Sequence, residues 1–112
     1  MSQTPPIRPA RGPLRWFFER TAWAGLCLPG LGIWVDPAYL AWRTAGFAAP
    51  VPGSAADQII RHETRHWQQA EHMGVLRWYA AYAWGLIRHG YRHHPLELDA
   101  RAYAAQASPP HG

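Results

Sequence analysis

The chain has no lysine: all 11 of its basic residues are arginine. Against 7 acidic residues they leave a formal net charge of +4, a balance that draws anionic membranes, nucleic acid or acidic partners. The arginines are scattered, however, and no recognisable RNA- or DNA-binding motif accompanies them, which disfavours nucleic acid. A single cysteine, Cys27, excludes an intramolecular disulfide framework. Between Leu26 and Leu28 it reads as a buried structural thiol. Long hydrophobic runs are missing too. The apolar stretches 21–35 and 75–87 are too short for an ordinary membrane span, and Pro29 and Gly30 interrupt the first. Spanning is therefore not expected, while peripheral contact through Trp and Arg stays open. Residues 1–11 carry no apolar region after their charges and do not read as a secretory signal. With the lone cysteine, that points to a cytoplasmic location.

What is present is apolar and aromatic. Hydrophobic residues make up 48% of the chain and charged ones 16%, with seven Trp and five Tyr, so a folded core is expected rather than disorder. At 112 residues the chain is a single domain with a modest core, to which a bound metal can add stability. The first dozen residues and residues 108–112 read as loose, proline-broken ends.

Residues 14–23 predict a short helix with Trp16, Phe17, Arg20 and Trp23 near one face. Residues 26–35 predict two short strands around Pro29-Gly30, ending before Asp36-Pro37. Residues 38–52 hold a helical turn and then a loop. Ser54, with Asp57 three positions on, caps a helix from Ala55 to Met73 that Gly74 stops. A second helix covers Val75 to His89, stopped by Gly90. Pro95 suits the first turn of a third, which continues through Ala104. Trp67 and the aromatics Trp78, Tyr79, Tyr82 and Trp84, with Leu86, read as packing residues.

The chemistry sits in His62-Glu63-Thr64-Arg65-His66. Residues four apart share a helix face, so both imidazoles can reach one ion, with Glu63 placed to contact a water on that ion. This is the HExxH spacing. Catalytic zinc usually has three protein ligands and a water, so one ligand is still to be found. His72 has metzincin spacing, but Gln69 stands where that arrangement needs glycine, and on a continuing helix His72 faces away from His66. Glu97 and Asp99 lie on opposite sides of the third helix. Glu97 shares its face with small Ala100 and Ala104, which permits close helix approach, and is the favoured ligand; Asp99 can instead orient a ligand from behind. His89, His93 and His94 cluster loosely around a turn that reads as solvated.

The segments His62–Gln69 and Tyr91–Ala100, written HExxHxxQ and YxxxPxExEA with Asp99 at the second glutamate, resemble small bacterial gluzincin-like proteins of largely unassigned function. The ExxA part also resembles the CAAX prenyl proteases and heat-shock membrane metalloproteases, although Arg101 stands where those carry aspartate. The resemblance implies one Zn²⁺ per chain held by His62, His66 and Glu97, with Glu63 as general base and Gln69 as the family glutamine. The activity expected is peptide-bond hydrolysis of a peptide or protein substrate, in which Tyr91, His93, His94 and Tyr103 are candidate oxyanion donors. The alternatives are a noncatalytic zinc-stabilised interaction module and a peripheral membrane-binding protein. The fold expected is α+β, mainly α: a minimal zincin-like domain with a short hairpin whose edge can pair with an extended peptide.

Overall fold

The Pro29-Gly30 pair turns the chain between two short strands, as its composition predicts. Gly30 sits at φ 86°, a backbone conformation that a side chain would strain, and Leu31 N–H donates to Leu28 O at 2.9 Å. In the computed structural model, which describes residues 5–21 and 23–106, these strands are β2 (Gly25–Leu28) and β3 (Gly32–Val35). Before them come β1 (Ile7–Pro9) and α1 (Gly12–Arg20). After them come a 3₁₀ turn (Pro37–Tyr39), α2 (Ala41–Thr44), α3 (Ala55–Met73), α4 (Val75–His89) and α5 (Pro95–Ala105). The architecture is α+β and mainly α.

The strand β1 corrects, at Ile7–Pro9, the expectation that the first dozen residues are loose; residues 1–4 lie outside the described residues. It pairs in parallel with β3, Ile7 opposite Ile33, while β2 pairs with β3 antiparallel, Cys27 opposite Ile33. The sheet order is β1-β3-β2. Pro9 is tolerated because β1 is an edge strand, where a missing N–H breaks no ladder. The expected tail, residues 108–112, lies outside the described residues. The first helix also differs. It spans Gly12–Arg20 and buries Phe18, leaving Trp16 and Phe17 exposed; Trp23 lies beyond it but still meets Phe17.

One sheet face carries Cys27, Ile33 and Val35, which with Leu40 form the core against Ile59, Ile60 and Trp67 of α3. Both ends of α3 are those its residues predict. Ser54 Oγ accepts from Asp57 N–H at 3.2 Å and the Asp57 carboxylate accepts from Gly53 N–H at 2.8 Å, so two otherwise unbonded donors are satisfied. Gly74 (φ 98°) ends α3 and Gly90 (φ 72°) ends α4, reversing the chain each time. Helix α5 returns against α3 through buried Ala100 and Ala104, small residues that let the two backbones approach. Among the described residues no helix is long and apolar enough to cross a membrane.

Candidate metal centre

Helix α3 presents His62, Glu63 and His66 toward one point. Their ligand atoms all lie within 4.8 Å of one another, a group that can hold a metal ion. Helix α5 brings Glu97 to the same point. Glu97 Oε1 lies 2.8 Å from His62 Nε2 and 3.2 Å from His66 Nε2, and Glu97 is only 3% exposed. Burial alone would raise its carboxyl, but hydrogen bonds from His62, His66 and Tyr82 hold it well below the usual carboxylate range.

The tautomer of His66 follows from its neighbours. Trp78 Nε1–H is donor only, and it donates to Gln69 Oε1 at 3.0 Å. The other end of the Gln69 amide, Nε2, donates to Leu96 O at 3.0 Å and to Asp99 Oδ2 at 2.8 Å. Gln69 Oε1 is thereby fixed as an acceptor, so His66 Nδ1, 3.0 Å away, must carry a proton and donate it. That leaves His66 Nε2 facing the Glu97 carboxylate, an arrangement that requires a second proton or a cation between them. Ligands of a tetrahedral zinc, bonded at about 2.0–2.2 Å, stand about 3.3–3.6 Å apart; the His66 separation of 3.2 Å comes close to that, while the His62 separation of 2.8 Å is a hydrogen-bond distance that an ion would widen by about half an ångström. Two imidazole nitrogens beside a carboxylate are the donor types a small divalent ion takes. Without one, burial lowers the proton affinity of His66, but the bond and charge of Glu97 outweigh it and raise its pKa.

Asp99 takes the orienting position that its side of α5 implies. Arg65 Nε donates to it at 2.8 Å, and it in turn fixes the amide of Gln69. Replacing Gln69 by leucine removes the acceptor for His66 Nδ1–H, and the expected result is a roughly 10–100-fold loss of zinc affinity. Isothermal titration against the parent measures it; unchanged affinity would show that the amide holds nothing in place.

Glu63 lies next to this group, partly buried. Burial raises its pKa most, against the lowering effect of His62 and His66, and the Cys27 backbone N–H donates toward it. The same neighbourhood, burial first and then the Glu63 charge, pushes the Cys27 thiol far up, so it stays protonated and inert. Opposite Glu63 the strand β2 comes very close. A Cβ on Gly25 would meet Ile59 Cγ2 at 2.8 Å and Glu63 Oε2 at 3.3 Å, so only glycine fits there. A cavity of about 530 Å³ opens beside these residues, lined by Trp23, Gly25, His62, Glu63, Tyr91 and Arg101 among others.

Other predicted residues fall elsewhere. Tyr91 lines the cavity, its ring 4.9 Å from Trp23, and Arg101 braces the Tyr91-Arg92 turn through both backbone carbonyls. Tyr103 is taken up by Arg61 and Arg65, whose guanidinium carbons lie 4.8 and 5.0 Å from its ring. His93 is exposed, with nothing tying it to the site. His72 is exposed and opens onto a separate depression beside Arg65 and Asp99, away from His66. His94 corrects the solvated-turn reading. It is 1% exposed and caps α5, its Nδ1 accepting from Leu96 N–H at 3.1 Å while Nε2–H donates to Tyr82 O at 2.8 Å. With both ring nitrogens engaged it has none left for a substrate. A Cβ on Gly85 would lie 2.4 Å from His94 Nε2, which explains a glycine in mid-helix.

One contributor escaped sequence reasoning. Tyr82, read as packing, stacks on Trp78 and on His94 and donates its hydroxyl to Glu97 Oε2. That bond leaves Oε1 as the oxygen turned toward the histidines. Its place four residues beyond Trp78 puts the two on one face of α4, but nothing in the sequence marked that face as the one that meets α3.

No family model, curated protein or solved structure matches the chain. The functional reading therefore rests on the residues themselves.

Proposed function

We propose that the protein is a zinc-dependent peptide hydrolase, with His62, His66 and Glu97 as ligands to one Zn²⁺ per chain and Glu63 as general base. The observation that carries this reading is the convergence of two imidazole Nε2 atoms on Glu97 Oε1, with the Glu63 carboxylate beside them lining a cleft. Zinc in such a site supplies Lewis acidity, activating water and polarising a carbonyl. The protein's own residues do the rest. Glu63 takes a proton at its carboxylate and can return it to the departing amine. Its raised proton affinity, set first by burial, suits both halves of that task. Tyr91, at the rim of the same cavity, is the donor best placed for the developing oxyanion.

The substrate is an extended peptide laid along β2. Asp36 N–H donates to Ala24 O and Leu31 N–H to Leu28 O, so the even-numbered carbonyls of this segment turn toward β3 and its turn. By alternation the backbone groups of Gly25 and Cys27 face the other way, along the sheet's outer edge. Cys27 N–H is spent on Glu63; Gly25 offers an N–H and a C=O right beside the carboxylate.

The test is hydrolysis of a quenched-fluorescent peptide library by protein loaded with one equivalent of zinc. Cleavage that disappears on chelation and returns with stoichiometric zinc is the expected result. If loaded protein cleaves nothing above the blank, the reading is wrong, and a noncatalytic zinc-stabilised module takes its place.

A further inference from the structure

Helix α4 was expected to pack its large side chains, and half of it does. Trp78 and Gly85 are buried, and Tyr82 reaches the metal-ligand cluster from the same side. The opposite side is bare. Leu76 is 85% exposed, Ile87 78% and Trp84 61%, and Ala80 and Ala83 between them are exposed as well. At 100° per residue these five fall within an arc of about 100°, a continuous apolar stripe. Single exposed hydrophobic residues are ordinary; a stripe this ordered on one helix marks a contact surface.

The charges on the helix indicate what it contacts. Val75–His89 contains no Asp or Glu. Arg77 and Arg88, both exposed, lie along one border of the stripe, next to Trp84, with the Arg88 guanidinium carbon 5.9 Å from the Trp84 ring. Two copies packed through this face would bring arginines together with no carboxylate on the helix to receive them. An apolar stripe bordered by arginine and tryptophan matches instead the boundary of a bilayer, where the rings and aliphatic side chains enter the acyl region and the guanidinium groups meet anionic headgroups. Fifteen residues make a helix about 22 Å long, too short to cross a hydrocarbon core of about 30 Å. It lies along the surface.

We propose that the outward face of α4, through Leu76, Trp84 and Ile87 with Arg77 and Arg88 beside them, seats the protein on anionic lipid bilayers. The inward face of the same helix carries Tyr82, so the metal-ligand cluster sits about one helix diameter, roughly 10 Å, from the membrane surface. The proposal does not depend on zinc or on hydrolysis.

The experiment is co-sedimentation of the full chain with vesicles of phosphatidylcholine alone or with 30 mol% phosphatidylglycerol. Binding to the anionic vesicles is expected, weakened by salt. The double variant Leu76→Ser, Ile87→Ser leaves the net charge unchanged and should bind at least about 10-fold more weakly. Arg77→Gln with Arg88→Gln should lose about 10-fold or more on anionic vesicles. Circular dichroism checks that both variants keep the fold, as substitutions at exposed positions should. Three results overturn the proposal. One is no sedimentation with anionic vesicles, and a second is sedimentation that the serine variant leaves unchanged. The third is a dimer in analytical ultracentrifugation that the serine variant dissociates, which assigns the face to a second copy.

Discussion

Replacing Glu63 by glutamine is expected to lower peptide turnover by about 10²–10⁴-fold, the usual contribution of a positioned general base, while zinc stoichiometry stays at one per chain. The substitution is nearly isosteric. Its amide oxygen can still accept from the Cys27 N–H that now reaches Glu63, so the close approach of Gly25 to this side chain is preserved. What is lost is the ability to take a proton, together with the negative charge. This variant separates the two zinc-based readings, because a noncatalytic module has no use for a base. A parent that hydrolyses peptide beside a zinc-loaded, inactive Glu63→Gln decides for the enzyme. If the variant turns over substrate at the parental rate, Glu63 is not the base.

Truncating Glu97 or His66 to alanine should lower zinc affinity by about 10²–10⁴-fold. Apparent binding free energies for structural zinc sites of about 10–16 kcal/mol, divided among three protein ligands, give roughly 3–5 kcal/mol for each. Competition with a chromophoric chelator reads losses of that size. Glu97→Gln accompanies the alanine variant, since it keeps an acceptor for the Tyr82 hydroxyl and so isolates ligation from packing. Asp99→Ala is the contrast. Acting only through Gln69 and Arg65, it should cost about 10–100-fold. Were Asp99→Ala the damaging change and Glu97→Ala silent, the assignment of the two acidic residues on α5 would be reversed.

The parts of this fold that were legible in the sequence are those decided locally. Ser54, Asp57, Gly74, Gly90 and Pro95 act within a few residues of where they stand, and the helices they bound begin and end where those residues place them. The opposition of Glu97 and Asp99 on α5 follows from helical periodicity alone. What stayed hidden depends on distant partners. The strand β1 exists because β3, some 26 residues later in the chain, offers it an edge, and nothing in Ile7-Arg8-Pro9 announces that. His94 looked like a surface histidine in a polar turn; it is buried because Gly85 leaves room for its ring. Helix α4 is apolar nearly all round, so its pattern did not reveal which side would be covered, and Tyr82 and Trp84, two residues apart, have opposite fates.

The proposed ligands also have a topological consequence. His62 and Glu97 stand 35 positions apart, and the whole of α4 lies between them. An ion held by both closes that stretch into a ring, in the manner of a cross-link that can be withdrawn. Unfolded chain seldom brings the two ends together, because closing so long a loop is entropically unfavourable, so the ion favours the folded state. The free energy of unfolding then rises with the logarithm of free zinc once its concentration exceeds the dissociation constant. For a small domain with few core residues to spare, the proposed site would make zinc supply govern how many molecules persist as well as how many can react.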